Sequence, residues 1–234
     1  MHVQRIIEGL WRWSVPHPEW TPECDRPDGW ARDVGCIYAE VADGVVLVDP
    51  LVPAEPVEAS RFWVALDRDV ERIGGRVTIL VGSADHGRSV NEVARRYRAR
   101  PESAVVIGHE AIRDTVSCSL DATLPGAVLP AEVVAHPIQG LSPGETAYAL
   151  TRHRAVAFAD CVIGAGGGRL RLAPASWGVR TDAGRALYDR RFRASFEGIL
   201  ALDPEIVLPS HGAPVLAGGA AALREALTAP VWGA

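Results

Sequence analysis

The chain has 234 residues, 48% of them hydrophobic and 23% charged, with a net charge of −5. That composition is ordinary for a globular protein, and the length suffices to bury well over half of the unfolded surface without disulfides or a structural metal. The acidic balance argues against nucleic acid or an anionic membrane as the main partner. No run approaches the roughly 18 apolar residues of a membrane span, and the first residues lack the apolar core of a signal peptide.

In chain order, residues 3–15 form short apolar runs around Glu8-Gly9, which predicts two strands. Cys36 to Val41 and Val45 to Asp49 are β-rich runs around Ala42-Asp43-Gly44, a hairpin signal. From Pro53 to Ile73 the period turns helical, with Phe62, Leu66, Val70 and Ile73 on one face and Gly74-Gly75 as the stop. Val77 to Val81 is a short buried strand. A helix follows, with Ser89 and Glu92 as a capping box and Val90, Val93, Ala94 and Tyr97 inside. Arg95, Arg96, Arg98 and Arg100 at its end read as a solvated face that complements the helix dipole. Ala104 to Ile107 is a strand, Glu110 to Val116 a short helix, and 117–130 a loop. Strands follow at Val133 to Ile138, Thr146 to Thr151 and Ala155 to Ala159, with a Gly-rich loop at 164–168. Leu187, Phe192, Phe196, Ile199 and Leu200 mark another amphipathic helix, Ile206 to Leu208 a strand, and Ala220 to Leu227 a last helix. No linker divides the chain, so residues 1–234 are expected to form a single domain of two mixed sheets packed face to face with helices outside.

Three of the buried strands run into side chains able to hold a metal. One ends in Gly82-Ser83-Ala84-Asp85-His86, one in Asp160, and one in Pro209-Ser210-His211-Gly212. Loops at strand ends are exposed yet anchored, which suits reacting groups. A lone Asp-His pair is more often a polar turn, but three such endings together point to one shared site.

The order of elements and these motifs resemble the metallo-β-lactamase superfamily, an α/β (α+β) fold built as a four-layer αββα sandwich. The resemblance lays Asp85 and His86 on the last two positions of a His-x-His-x-Asp-His motif, with Val81 and Ser83 on the first two. Gly140-Leu141-Ser142-Pro143-Gly144 matches a Gly-His-Thr-Pro-Gly segment, with Leu141 in place of His. Asp160 matches the bridging Asp, His211 the last His, and Asp49 an Asp that supports the site from behind. The family's first metal would thus find Val81, Ser83 and Leu141, none of which is a useful zinc ligand. The second would find Asp85, His86, Asp160 and His211.

The resemblance implies one divalent metal, with Zn²⁺ best suited and Fe²⁺, Mn²⁺ or Ni²⁺ compatible. Asp85 and Asp160 would serve both as ligands and in catalysis, in a mononuclear hydrolase acting on a small ester, thioester, lactone or amide. The alternative is a non-catalytic, degenerate member, binding a small ligand or protein partner in the former cleft without metal. In that empty pocket, protonated His86 and His211 would pair with the two carboxylates. A metal-free reaction through Ser83, with His86 or His211 as base, is a further option.

The remaining residues speak less clearly. Gly164 to Gly168 read as a flexible loop beside the site. Trp11, Trp13, Trp20 and Trp30, with His17 among them, are expected either to pack the first strands or to line a pocket or a homodimer contact. His109, His136 and His153 read as core edge or surface. The four cysteines, Cys24, Cys36, Cys118 and Cys161, lack C-x-x-C spacing and read as free thiols of a reducing, cytoplasmic compartment.

Overall fold

Hairpin turns at Glu8-Gly9 and Ala42-Asp43 open the first sheet. The computed structural model describes residues 1–26, 29–98 and 104–230. Arg100 of the Arg cluster lies outside them. Strands β1 (His2–Ile7), β2 (Leu10–Pro16), β3 (Asp33–Val41) and β4 (Gly44–Val48) pair antiparallel in sequence order. Then β5 (Val77–Val81), β6 (Ala104–His109) and β7 (Ala122–Leu124) add in parallel, giving a seven-stranded sheet in the order β1 to β7. Strand β7 lies inside the segment expected to be loop; its few residues carry too little alternation to announce a strand.

Helix α1 (Pro56–Ile73) crosses between β4 and β5, burying Phe62, Leu66 and Val70 at spacings of four. Its N-terminus is capped by Glu55, whose carboxylate accepts the N–H groups of Val57 and Glu58, and Gly74 ends it at φ 118°. Helix α2 (Val90–Tyr97) follows β5. The predicted capping box is not formed there: the Ser89 hydroxyl instead accepts the Val52 N–H at 2.9 Å. A partner 37 residues away in the chain outcompetes the local bond.

The second sheet contains β8 (Val133–Pro137), β9 (Thr146–Leu150), β10 (Ala155–Phe158) and β13 (Ile206–Pro209), in the order β13-β10-β9-β8, with β10 and β13 parallel. Between them, β11 (Val162–Gly166) and β12 (Arg169–Leu172) form a separate hairpin. The Gly-rich segment is the turn of this hairpin rather than a free loop; Gly166, Gly167 and Gly168 all take positive φ there. The single helix expected around Leu187 to Leu200 is broken into α3 (Asp182–Leu187) and α4 (Glu197–Ala201), joined by nine residues of wider and tighter helical turns. Helix α5 is Gly219–Thr228.

The central strands β4, β5, β9, β10 and β13 are buried on both faces and read as continuous apolar runs, whereas the edge strands β1 and β8 are partly exposed. Successive residues of β4 point to opposite sides. Val46 and Val48 meet Leu80, Tyr148, Ala157 and Leu208 between the sheets. Leu47 packs outward with Ile79 against Phe62 of α1 and Val93 of α2. Beyond the second sheet, Val156 and Phe158 pack with Phe192, Phe196 and Leu223. The result is the expected αββα layering. Cys36, Cys118 and Cys161 are buried free thiols and Cys24 is half-buried. Among the described residues, no helix is long and apolar enough to cross a membrane.

Candidate metal centre

The functional side chains emerge where β4, β5, β10 and β13 end, the side of a parallel α/β sheet at which ligands ordinarily bind. Asp49 follows β4 at φ 50° and is 2% exposed. Its Oδ1 accepts the Gly82 N–H at 2.7 Å and its Oδ2 the Nδ1–H of His86 at 2.7 Å. This fixes the His86 ring and leaves Nε2 facing the cleft. His86 Nε2 and His211 Nε2 each lie 3.1 Å from the same oxygen, Oδ1 of Asp160. One ligand atom from each of these three residues falls within 4.8 Å of the others. The second Asp160 oxygen accepts the Ser83 hydroxyl at 3.0 Å.

Asp160 is in turn held from behind by Glu145, whose Oε1 accepts the backbone N–H groups of Asp160 (2.9 Å) and Cys161 (2.8 Å). Ser142 donates its hydroxyl to the other Glu145 oxygen at 3.0 Å. Neither Glu145 nor its role was anticipated from sequence; a lone acid before an apolar strand gives no sign of being wholly buried.

The other anticipated residues separate. Asp85 is exposed on the cleft wall, and its carboxylate is not one of the atoms gathered at Asp160. Val81 is buried, its carbonyl accepting the Tyr148 hydroxyl at 2.8 Å, and Leu141 lines the cleft. Ser83 spends its proton on Asp160, not on an imidazole, which removes the hydrogen bond a Ser–His nucleophile needs. His153 is buried against the Glu40 carbonyl at 3.0 Å, and His109 accepts the Ala111 N–H. His136 is half-buried and packs near Gly198.

Arg88 is a second site residue that the sequence does not announce. Its Nη2 lies 3.0 Å from His86 Nε2 and donates to the Ser210 hydroxyl at 2.9 Å, while Nη1 donates to the Asp49 carbonyl at 3.3 Å. The backbone reaches this place at φ 29°, a conformation disfavoured for any side-chain-bearing residue by about 1–3 kcal/mol.

These contacts set the charges. Burial and Arg88 push the His86 pKa down, but Asp160 and Asp49 outweigh them and raise it to about 9. Burial opposes ionisation of Asp160, yet His86 and His211 hold its carboxyl well below the usual range. Burial keeps His211 below its ordinary value in spite of Asp160. Burial and the neighbouring Asp160 raise Glu145 to about 7.

Above the cluster opens a cleft of about 560 Å³. Trp30 and Trp177 stand edge-on to the His211 ring, at 5.3 and 5.7 Å between centroids, and His17 packs edge-on to Trp30 at 5.0 Å. Arg180 and Asp85 place opposite charges on the exposed wall. The N-terminal tryptophans therefore divide: Trp30 walls the cleft, whereas Trp13 packs on Phe62 and donates to the Leu51 carbonyl. Trp11 is half-buried under Arg5, and Trp20 donates to the Trp30 carbonyl.

The donor set fits a divalent metal. Two imidazole nitrogens and one carboxylate oxygen converge, and His86 carries the carboxylate partner on its far nitrogen that metal-bound histidines ordinarily have. His211 Nδ1 is buried without a hydrogen-bond partner, so its ring is committed through Nε2 alone. The Arg88 guanidinium, 3.0 Å from His86 Nε2, opposes a cation there.

No family model matches the chain, and no characterised protein resembles it closely enough in sequence to count as a match. Solved structures do. A metallo-beta-lactamase from Pontibacter korlensis superposes with a TM-score of 0.64 at 13% identity, covering 98% of this chain and 99% of that one. A beta-lactamase domain protein from Burkholderia ambifaria gives 0.63 at 14% identity, covering 96% and 74%. A metallo-beta-lactamase family protein from Thermus thermophilus gives 0.58 at 16% identity, covering 94% and 79%.

Proposed function

We propose that this chain, which has the metallo-β-lactamase fold, holds one divalent metal through His86, Asp160 and His211 and hydrolyses a small ester, thioester, lactone or amide. The observation that carries this is the meeting of both imidazole Nε2 atoms on one Asp160 oxygen, 3.1 Å from each. Zn²⁺ suits two nitrogens and one oxygen with an open position. When bound, such a metal supplies a Lewis acid and acidifies water to near neutrality. A second metal would have to be held by Val81, Ser83 and Leu141, whose side chains offer no adequate donors. The site is therefore read as mononuclear.

The chain's own residues do the rest. Asp49 holds the His86 ring with Nε2 toward the cleft. Glu145 and Ser83 fix the two ends of Asp160. Trp30, Trp177 and Leu141 exclude water from one side of the substrate. Asp85, on the exposed wall, serves as a proton acceptor from there and not as a ligand. The buried free thiols Cys36, Cys118 and Cys161 support a reducing, cytoplasmic setting.

Metal analysis and turnover on a panel of esters, thioesters and lactones test this together. Asp160→Ala and His211→Ala are expected to lose both metal and turnover, and Asp85→Asn to keep metal while losing turnover. Turnover that survives removal of all metal would contradict the proposal. The contact between Arg88 and His86 favours a second function, in which the cleft binds a small ligand without turnover. Quenching of Trp30 and Trp177 fluorescence by a panel compound that the metal-loaded protein leaves unchanged would select it.

A further inference from the structure

We propose that Arg88 is a built-in cation that competes with the metal for His86 and so sets the metal affinity of the site. This rests on the metal-binding function proposed above. Asp49 occupies His86 Nδ1, so Nε2 is the nitrogen left for a metal. That nitrogen is already approached at 3.0 Å by Arg88 Nη2. A guanidinium stays charged at every accessible pH and has no lone pair to offer. It cannot join a metal's coordination, and it repels a dication brought to the same nitrogen.

Arg88 is not a surface side chain that happens to fold inward. It is anchored at two further points, the Ser210 hydroxyl at 2.9 Å and the Asp49 carbonyl at 3.3 Å. Those anchors come from the ends of β13 and β4, so the fork ties together the strand ends that also carry His211 and the support of His86. The backbone at Arg88 adopts φ 29°, which a glycine would take without strain, yet an arginine stands there. Arg88 thus places its positive charge at His86 Nε2, the nitrogen a metal would take. Metal entry requires the guanidinium to leave His86 Nε2.

Arg88→Gly tests this with little risk to folding, because glycine relieves the backbone at that position. Ser210→Ala is the companion: it removes one anchor of Arg88 without touching the three ligands. Co²⁺ is titrated into wild type and both variants after chelator treatment and dialysis, with its visible ligand-field absorption as the readout. The expected result is at least about tenfold tighter Co²⁺ binding by Arg88→Gly and a smaller tightening by Ser210→Ala. Thermal unfolding in chelator confirms that each variant is folded, and if Arg88→Gly is not, Ser210→Ala decides by the same criterion. Equal or weaker affinity in the variants, with Co²⁺ still bound by wild type, would overturn the role of Arg88 and leave the metal site standing. Failure of every form to bind Co²⁺ would overturn both.

Discussion

Gly82 joins β5 to the site turn at a point with no room for a side chain. A Cβ there would lie 2.8 Å from the Ala159 Cβ and 2.9 Å from Asp49 Oδ2. Gly82→Ala is expected to lose about 1–3 kcal/mol of stability in denaturant unfolding and to disturb the Asp49–His86 pair. Asp49→Asn keeps the shape but not the charge that orients His86. Removing such a partner behind a ligand lowers metal affinity by about 10–100-fold, which the same Co²⁺ titration reads. His86, Asp160, His211 and Asp49 were legible because each closes an apolar strand within an ordered set of motifs. Asp85 stood in the same motif, but Ala84–His86 form one tight turn in which adjacent side chains diverge by about 120°. His86 therefore points inward and Asp85 toward solvent. Arg88 was illegible because its anchors, Asp49 and Ser210, lie 39 and 122 residues away in the chain.

Between elements, the two sheets are tied at the site by polar bonds as well as by packing. The Tyr148 hydroxyl on β9 reaches across to the Val81 carbonyl on β5 at 2.8 Å, and the Thr146 N–H to the Gly82 carbonyl at 2.8 Å. Tyr148→Phe removes a buried donor, with an expected cost of about 1–3 kcal/mol in urea unfolding. The segment between β2 and β3 carries His17, whose pKa burial and Arg88 lower to about 4. A histidine held below its ordinary 6.5 contributes stability that is present above that value and lost as pH falls toward 4. His17→Gln is therefore expected to narrow the drop in melting temperature between pH 6.5 and 4; an unchanged drop would count against this. Strands buried on both faces and the long α1 could be read from periodicity alone. The helix near 187–200 could not be read correctly, because its apolar spacing is kept while the backbone changes pitch around Phe192 and Phe196 to pack them under β10.

At the scale of the molecule, parallel pairing brings the ends of β4, β5 and β10 with β13 to one cleft, and the sandwich core of Val46, Leu80, Tyr148 and Leu208 holds them there. The central claim is that this arrangement holds one metal, on three ligands and without Asp85. Metal-to-chain stoichiometry at saturating Co²⁺, measured on wild type, Asp160→Ala and Asp85→Ala, tests it most directly. The expected result is one equivalent in wild type and Asp85→Ala and none in Asp160→Ala. Two equivalents in wild type, none, or a stoichiometry indifferent to Asp160 would contradict it.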